Sequence, residues 1–246
     1  MTAALLAVAI AMAGPAAADV TDVGGSGAFG VSVSATVPVA PAVQVGPVPS
    51  VDLPAGGGNV SDQLASVDAS PVLEAGLLQV SSQGGNLGTH QGFATSQASV
   101  ADVEVVKNAV EGDPLLAAGL ITAQCTSNGD GSVGQSSLLN AEVAGNPIPV
   151  NPPANTTIPV PGIGTVVLNE QIVTNTPGVE TKITVNAVHI TNAGPITGDV
   201  IISQARCRAA GPNVLGGPLG GPGGAGGPGG PAGPAAPVSA APRFTG

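Results

Sequence analysis

The segment "LAAGLITAQCTSNGDGSVGQSSLLNAEV", Leu116 to Val143, carries the clearest structural signal in the chain. From Ile121 to Thr126, small or apolar residues alternate with Thr and Gln, which is the period of a half-buried β-strand. The Asn-Gly-Asp-Gly sequence at 128–131 consists of residue types that readily adopt positive φ, as tight hairpin turns require. The same four residues resemble part of a calcium loop, but the other carboxylates of such a loop are absent, so we favour the turn. The segment therefore predicts an antiparallel hairpin.

The rest of the chain body shows the same pattern and almost no helix signal. Val, Ile and Thr recur in short runs that are punctuated by Gly, Pro and Asn. Such spacing favours an all-β fold, most simply an antiparallel β-sandwich, with a barrel as the alternative. The predicted strands are Ala28–Val37, Val72–Ser81, Phe93–Val106, Leu116–Thr126, Val133–Val143, Ile163–Thr174, Thr181–Thr191 and Gly198–Arg208.

A weak internal repeat runs through this body. The sequence "LEAGLLQVSS" from Leu73 resembles "LAAGLITAQC" from Leu116, and "QASVADVEV" from Gln97 resembles "QSSLLNAEV" from Gln135. Two similar hairpins indicate duplicated β-units within one sheet system. Two copies are too few for a solenoid, which needs three or more stacked repeats.

The two cysteines, Cys125 and Cys207, fall on the apolar side of their predicted strands. Cys125 shares its face with Ile121 and Ala123, and Cys207 shares its face with Ile201, Ser203 and Ala205. In an exported protein this placement favours a disulfide between adjacent or stacked strands. Closing a loop of about 80 residues would stabilise the fold by about 4–5 kcal/mol in the chain-entropy model. Two buried free thiols are the alternative.

Composition excludes several classes of function. The 246 residues carry a formal charge of −10 and only five Lys and Arg, too few for a phosphate-binding surface, so we expect no nucleic-acid partner. The chain has no Trp or Tyr and three Phe, which argues against a sugar-binding site built on aromatic rings. With 43% apolar residues and 8% charged ones, the whole chain is not of a disordered type.

The N-terminus, "MTAALLAVAIAMAGPAAADV", predicts a signal peptide over residues 1–18. Its apolar run is too short to span a bilayer, and Ala16-Ala17-Ala18 supplies a small-residue cleavage site before Asp19. No Lys or Arg precedes the run, and a buried apolar element is the alternative interpretation. We expect a secreted or cell-surface protein without a transmembrane segment in the mature chain.

The predicted organisation continues with a short linker over 19–26, a β-rich domain over 27–209 and a tail over 210–246. The tail is rich in Gly and Pro, and its five Gly-X-Y triplets are too few for collagen, so we expect it to be disordered. It has no LPxTG sorting motif. Secretion and non-covalent retention through the tail therefore both stay open.

Catalytic motifs are scarce. We find no nucleophile elbow, His-Glu-x-x-His helix, P-loop or Cys-x-x-Cys pair, and we expect no catalytic residue, no metal site and no cofactor. His90 lies in a Gly-rich polar stretch. The single polar pair of interest is Glu170 with His189, which both interrupt apolar strand runs, with Asn186 nearby. A carboxylate–imidazole hydrogen bond would form if their strands are neighbours, but we prefer the simpler interpretation that each side chain faces solvent or caps a strand end.

Three stretches together resemble the choice-of-anchor P proteins of actinobacteria. They are "PANTTIPVPGIGTVVLNEQ" (153–171), "ITVNAVHIT" (183–191) and "GDVIISQARC" (198–207), and the upstream "GAFGVSVSATVPVAPAVQVGPVP" is similar to the start of that family's domain. The resemblance covers nearly all of 27–208. It implies an exported domain followed by a variable surface anchor, and it implies no enzymatic activity.

Three functional hypotheses follow from the sequence. We favour a non-catalytic exported or cell-surface module with a structural or interaction role, whose partner is unknown and would be a cell-envelope or extracellular protein. A secreted hydrolase using a carboxylate such as Glu170 is the second hypothesis. A module that adds a partner strand to a free sheet edge is the third.

Overall fold

The computed structural model describes residues 25–36, 42–87, 91–107, 114–161, 164–176, 179–193 and 197–210, and these residues form antiparallel strands and no helix. The strands are β1 Gly27–Thr36, β2 Val43–Asp52, β3 Gly58–Leu64, β4 Val67–Ala69, β5 Leu73–Ala75, β6 Leu78–Gly85, β7 Phe93–Lys107, β8 Pro114–Asn128, β9 Gly131–Leu139, β10 Glu142–Val143, β11 Asn146–Pro147, β12 Thr156–Val160, β13 Gly164–Val173, β14 Glu180–Ala193 and β15 Thr197–Ala210.

The strands build two sheets that pack face to face. The first sheet has the order β12-β13-β14-β15-β1-β2. The second sheet has the order β11-β10-β8-β7-β5-β4, with β6 also pairing β7, β3 pairing β6, and β9 pairing β8. Both sheets are open, so the predicted antiparallel β-sandwich is confirmed and the barrel alternative is wrong.

Six predicted strands are present with small shifts. Val72–Ser81 is divided into β5 and β6 and Val133–Val143 into β9 and β10, because the alternation of inward and outward side chains is interrupted between the two parts. The hairpin of the opening segment joins β8 to β9. The N–H groups of Asp130 and Gly131 both donate to Asn128 Oδ1, at 2.9 and 3.0 Å, which closes the turn. Three longer strands, β2, β3 and β12, were not predicted. β2 and β12 contain Pro, which is tolerated at sheet edges, and β3 is exposed on both faces and shows no alternation.

The core between the sheets consists of Val, Leu, Ile and Ala. Its largest fully buried side chains include Leu73, Leu116, Ile121, Ile183 and Ile202. Several polar side chains cross the interface to backbone carbonyls of the other sheet. Ser203 Oγ donates to Ile121 O at 2.9 Å, and Ser96 Oγ donates to Arg206 O at 2.8 Å. These bonds satisfy polar groups that burial would otherwise penalise.

The long strands break the two-residue period of a β-strand once each, and the breaks lie side by side. Inward side chains normally recur at every second residue, but here one step of three residues intervenes. In the second sheet the three-residue steps are Ala75 to Leu78, Val100 to Val103, Ala118 to Ile121 and Leu138 to Ala141. In the first sheet they are Ala28 to Val31, Leu168 to Gln171, Val185 to Val188 and Ile202 to Ala205. We call each aligned set of breaks a switch row.

At every second position across a switch row, a residue in the left-handed region lies inside the strand or directly after it. Asp102 (φ 49°) and Asn140 (φ 51°) have this conformation in the second sheet, and Asn169 (φ 50°) and Ser203 (φ 55°) have it in the first. Asp and Asn tolerate positive φ better than other side chains do. Asp102 and Asn140 also occupy the same place in the internal repeat, so the repeat preserves the switch row.

The switch row corrects one prediction from the sequence. Strict alternation placed Ile201 on the same face as Cys207. In the structure Ser203, Ala205 and Cys207 are buried, whereas Ile201 is only partly buried and belongs to the other face. Because Ser203 has a positive φ, the alternation of faces is interrupted there, and Ile201 does not share a face with Cys207.

The strands extend from Gly27 to Ala210, and the described residues contain no helix long and apolar enough to cross a membrane. The predicted signal peptide over 1–18 lies outside the described residues. So do His90 and the predicted tail from 211 onward. Export, the N-terminal linker as far as residue 24 and disorder of the tail therefore stay predictions.

We expect Asp102→Val to lower the free energy of unfolding by about 1–2 kcal/mol, because a β-branched residue is disfavoured at positive φ. Asp102→Gly should be close to neutral. Ser99→Val, on the same strand at a regular extended position, serves as the control and should not destabilise. Denaturant unfolding checks the set, and equal stability of Asp102→Val and Ser99→Val would refute the left-handed assignment.

Candidate functional site

The first sheet's switch row brings three polar side chains side by side. Glu170 on β13 pairs in register with Asn186 on β14, and Asn186 pairs with Gln204 on β15. All three stand next to the residues at which their strands turn over. Their side chains lie on the outward side of the sheet, opposite to the buried Val185 and Ala205.

These side chains form a continuous hydrogen-bonded chain. Gln204 Nε2 donates to Asn186 Oδ1 at 2.7 Å, and Asn186 Nδ2 donates to Glu170 Oε2 at 2.6 Å. The same carboxylate oxygen lies 2.9 Å from His189 Nδ1. Asn186 is only 3% exposed, so its amide needs these partners. The preferred interpretation from the sequence, that Glu170 and His189 each face solvent or cap a strand end, is therefore wrong, because both lie inside strands and are hydrogen-bonded to each other.

His189 lies between two carboxylates. Its Nε2 is 3.5 Å from Asp199 Oδ1 on β15, a residue that sequence reasoning did not single out. The side chains of His189 and Glu170 are 22% and 21% exposed, whereas that of Asp199 is 60% exposed. Asp199 lies diagonally across the strand pair from His189, and only the register of β14 with β15 reveals the contact.

The chemistry open to this cluster is limited. Within the described residues, the two carboxylates are the only hydrogen-bonding or ionic partners of His189. The imidazole also occupies the space between Glu170 and Asp199 that a glycosidase would leave for a sugar. The cluster connects β13, β14 and β15 through side-chain contacts.

The predicted cysteine pair forms a disulfide. Cys125 on β8 and Cys207 on β15 are bonded, with their Cα atoms 5.9 Å apart. Because β8 and β15 belong to different sheets, the bond crosses the core and ties the two layers of the sandwich together. Both residues are buried, at 3% and 0% exposure.

The free sheet edges carry features that oppose strand addition. β2 contains Pro47 and Pro49, and β12 contains Pro159, and a Pro at an edge strand cannot donate to a new partner. On β9, Gly134 O accepts from Gln171 Nε2 at 2.8 Å, and Leu138 N donates to Val150 O at 2.7 Å.

The edge strand β3 opposes the addition of a further strand through its charge. Asp62 on β3 accepts the N–H of Gln63 at 2.8 Å and adds a negative charge to that edge. Charged side chains on an edge strand discourage pairing with another chain. No long edge among the described residues is therefore both regular and uncovered.

Three cavities of the second sheet are lined by described residues that do not include Glu170 or His189. One of about 410 Å³ is lined by Asp68, Glu74, Asp102 and Glu104 among others. Asp68 accepts the hydroxyl and the N–H of Ser70, and these hydrogen bonds lower the pKa of its carboxyl. No group of three or more potential metal ligands with suitable geometry occurs in the described part of the chain.

Comparison of the chain with protein-family models, with curated proteins and with solved structures finds no match. The resemblance to choice-of-anchor P proteins therefore stays a prediction. The site must be interpreted from its own geometry.

The Glu170–His189 bond can be tested with a double-mutant cycle. Glu170→Ala and His189→Ala, separately and together, should show a coupling energy of about 0.5–1 kcal/mol, because both groups are mostly shielded from solvent. The exposed Asp52–Arg206 pair, at 2.6 Å, is the control and should couple more weakly. Urea unfolding gives all the values, and strict additivity for Glu170 and His189 would contradict the structure.

The disulfide can be tested in the same way. Its cysteines are 82 residues apart, so Cys125→Ala/Cys207→Ala should lose about 4–5 kcal/mol of unfolding free energy. Wild-type protein unfolded under reducing conditions should show a similar loss. A difference below about 1 kcal/mol would show that the bond does not constrain the unfolded chain.

Proposed function

We propose that this chain is a non-catalytic module that acts outside the cytoplasm, secreted or at the cell surface, in a structural or interaction role. The observation that carries the proposal is the disulfide between the two sheets, because such bonds persist in oxidising compartments. The apolar N-terminal run with its small-residue cleavage site supports the same compartment.

The absence of catalysis is supported by the contacts around Glu170. Its Oε2 is held by Asn186 and His189, and the imidazole is in turn flanked by Asp199. Such a saturated cluster on a sheet face is typical of a structural network. The hydrolase hypothesis would need a substrate cleft at Glu170, and the strand-addition hypothesis would need a regular free edge, and the described residues support neither.

Cell fractionation combined with mass spectrometry of the intact protein tests this function. We expect a mature chain that begins at Asp19, is found outside the cytoplasm and does not react with a thiol-alkylating reagent before reduction. A cytoplasmic chain that retains residues 1–18 and has two alkylatable thiols would contradict the proposal.

A further inference from the structure

The outward side of the second sheet has an apolar strip along its switch row. Leu77, Ala101, Leu120 and Leu139 stand next to one another across four neighbouring positions of the sheet. Leu77 is 46% exposed and Leu139 is 42% exposed. Single exposed leucines are ordinary, but a row that crosses a sheet is a contiguous apolar surface, and such surfaces mark contacts with other molecules. We call these four residues the leucine strip.

On one side of the leucine strip, the outward residues of β6, β7, β8 and β9 next to the strip are uncharged. The first row there consists of Gln79, Ser99, Thr122 and Ser137, and the next consists of Ser81, Gln97, Gln124 and Gln135. In the described part of the chain, the four glutamine side chains make no hydrogen bond to protein groups. We call these eight residues the neutral rows, and they offer both donors and acceptors.

On the other side of the leucine strip the sheet is acidic. Glu74, Glu104 and Glu142 stand in one row, together with Ala117. We call this the acidic row. The outward surface therefore changes from neutral and polar, through apolar, to acidic along the strand direction.

We infer that this face binds a second copy of the chain, with a two-fold axis that runs along the leucine strip. Such an axis places each residue of the strip opposite the same residue of the partner. The partner's strands then run in the opposite direction. The acidic row of each protomer then lies over the neutral row next to the partner's strip, where amides and hydroxyls can donate to carboxylates. A two-fold axis along the strands would instead place acidic row on acidic row, which like-charge repulsion opposes.

The size and charge of the face fit this partner. Five strands spaced about 4.8 Å apart, each with about five outward residues, present roughly 700 Å². A stable interface buries about 800 Å² on each partner. Because the chain has a net charge of −10, a second copy approaches most easily where the surface is neutral. The inference goes beyond the proposed function and holds whether or not the chain is exported.

The oligomeric state of the full chain is the first test. We expect a dimer by analytical ultracentrifugation at tens of micromolar. Leu77→Asp/Leu139→Asp should weaken dimerisation by about a hundredfold or more, because unpaired carboxylates would be buried in the interface. Ile172→Asp/Val173→Asp is the matched control, since both side chains are 51% exposed but belong to β13 of the other sheet. It should remain dimeric.

Cross-linking tests the axis. A cysteine on a two-fold axis faces its own copy, so Leu139→Cys should form a disulfide-linked dimer under mild oxidation. Val133→Cys is the control, because Val133 is more exposed, at 70%, but lies at the far end of the face. These variants also provide the test if the aspartate variant does not fold. A monomeric wild type, an undiminished dimer in Leu77→Asp/Leu139→Asp, or equal cross-linking of the two cysteine variants would overturn the inference, and none of these results bears on export.

Discussion

The structure depends on one departure from regular β geometry, the three-residue step that the long strands take in the same row. A strand presents alternate side chains to its two faces, so a change in the step turns over everything beyond it. Here Asp102, Asn140, Asn169 and Ser203 adopt positive φ, and the neighbouring strands follow. The core stays apolar on both sides of the row because, in each strand, the positions of the apolar residues shift by one at the same row.

Both features with functional interest stand in these rows. In the first sheet the turned-over residues are Glu170, Asn186 and Gln204, and they form a hydrogen-bonded chain. In the second sheet the residues beside the break include Leu77, Leu120 and Leu139, which form an apolar strip. One backbone device thus places a closed polar network on one outer face and an unpartnered apolar surface on the other. The polar network explains why the carboxylate of Glu170, which most suggests catalysis, already has hydrogen-bond partners.

Sequence patterns predicted the features that depend on interactions between residues close together in the chain. The Asn-Gly-Asp-Gly turn, eight strand segments and the apolar environment of Cys125 were all evident, because turn propensity and alternation act within a few residues. The edge strands β2 and β12 were not predicted because they contain Pro, which is also typical of loops. Ile201 was placed on the wrong face because positive φ at a Ser leaves no mark on composition. Asp199 near His189 depends on the register between strands, which a single strand does not encode.

Four non-glycine residues of the switch rows adopt the left-handed conformation, three of them inside strands and Asn140 between β9 and β10. Solution NMR measures this directly. We expect strong intraresidue HN–Hα contacts at Asp102, Asn140, Asn169 and Ser203, and methyl contacts of Ile201 with outward residues such as His189. Extended geometry at these four positions, with the Ile201 methyl groups in contact with Ile121 in the core, would contradict the left-handed assignment.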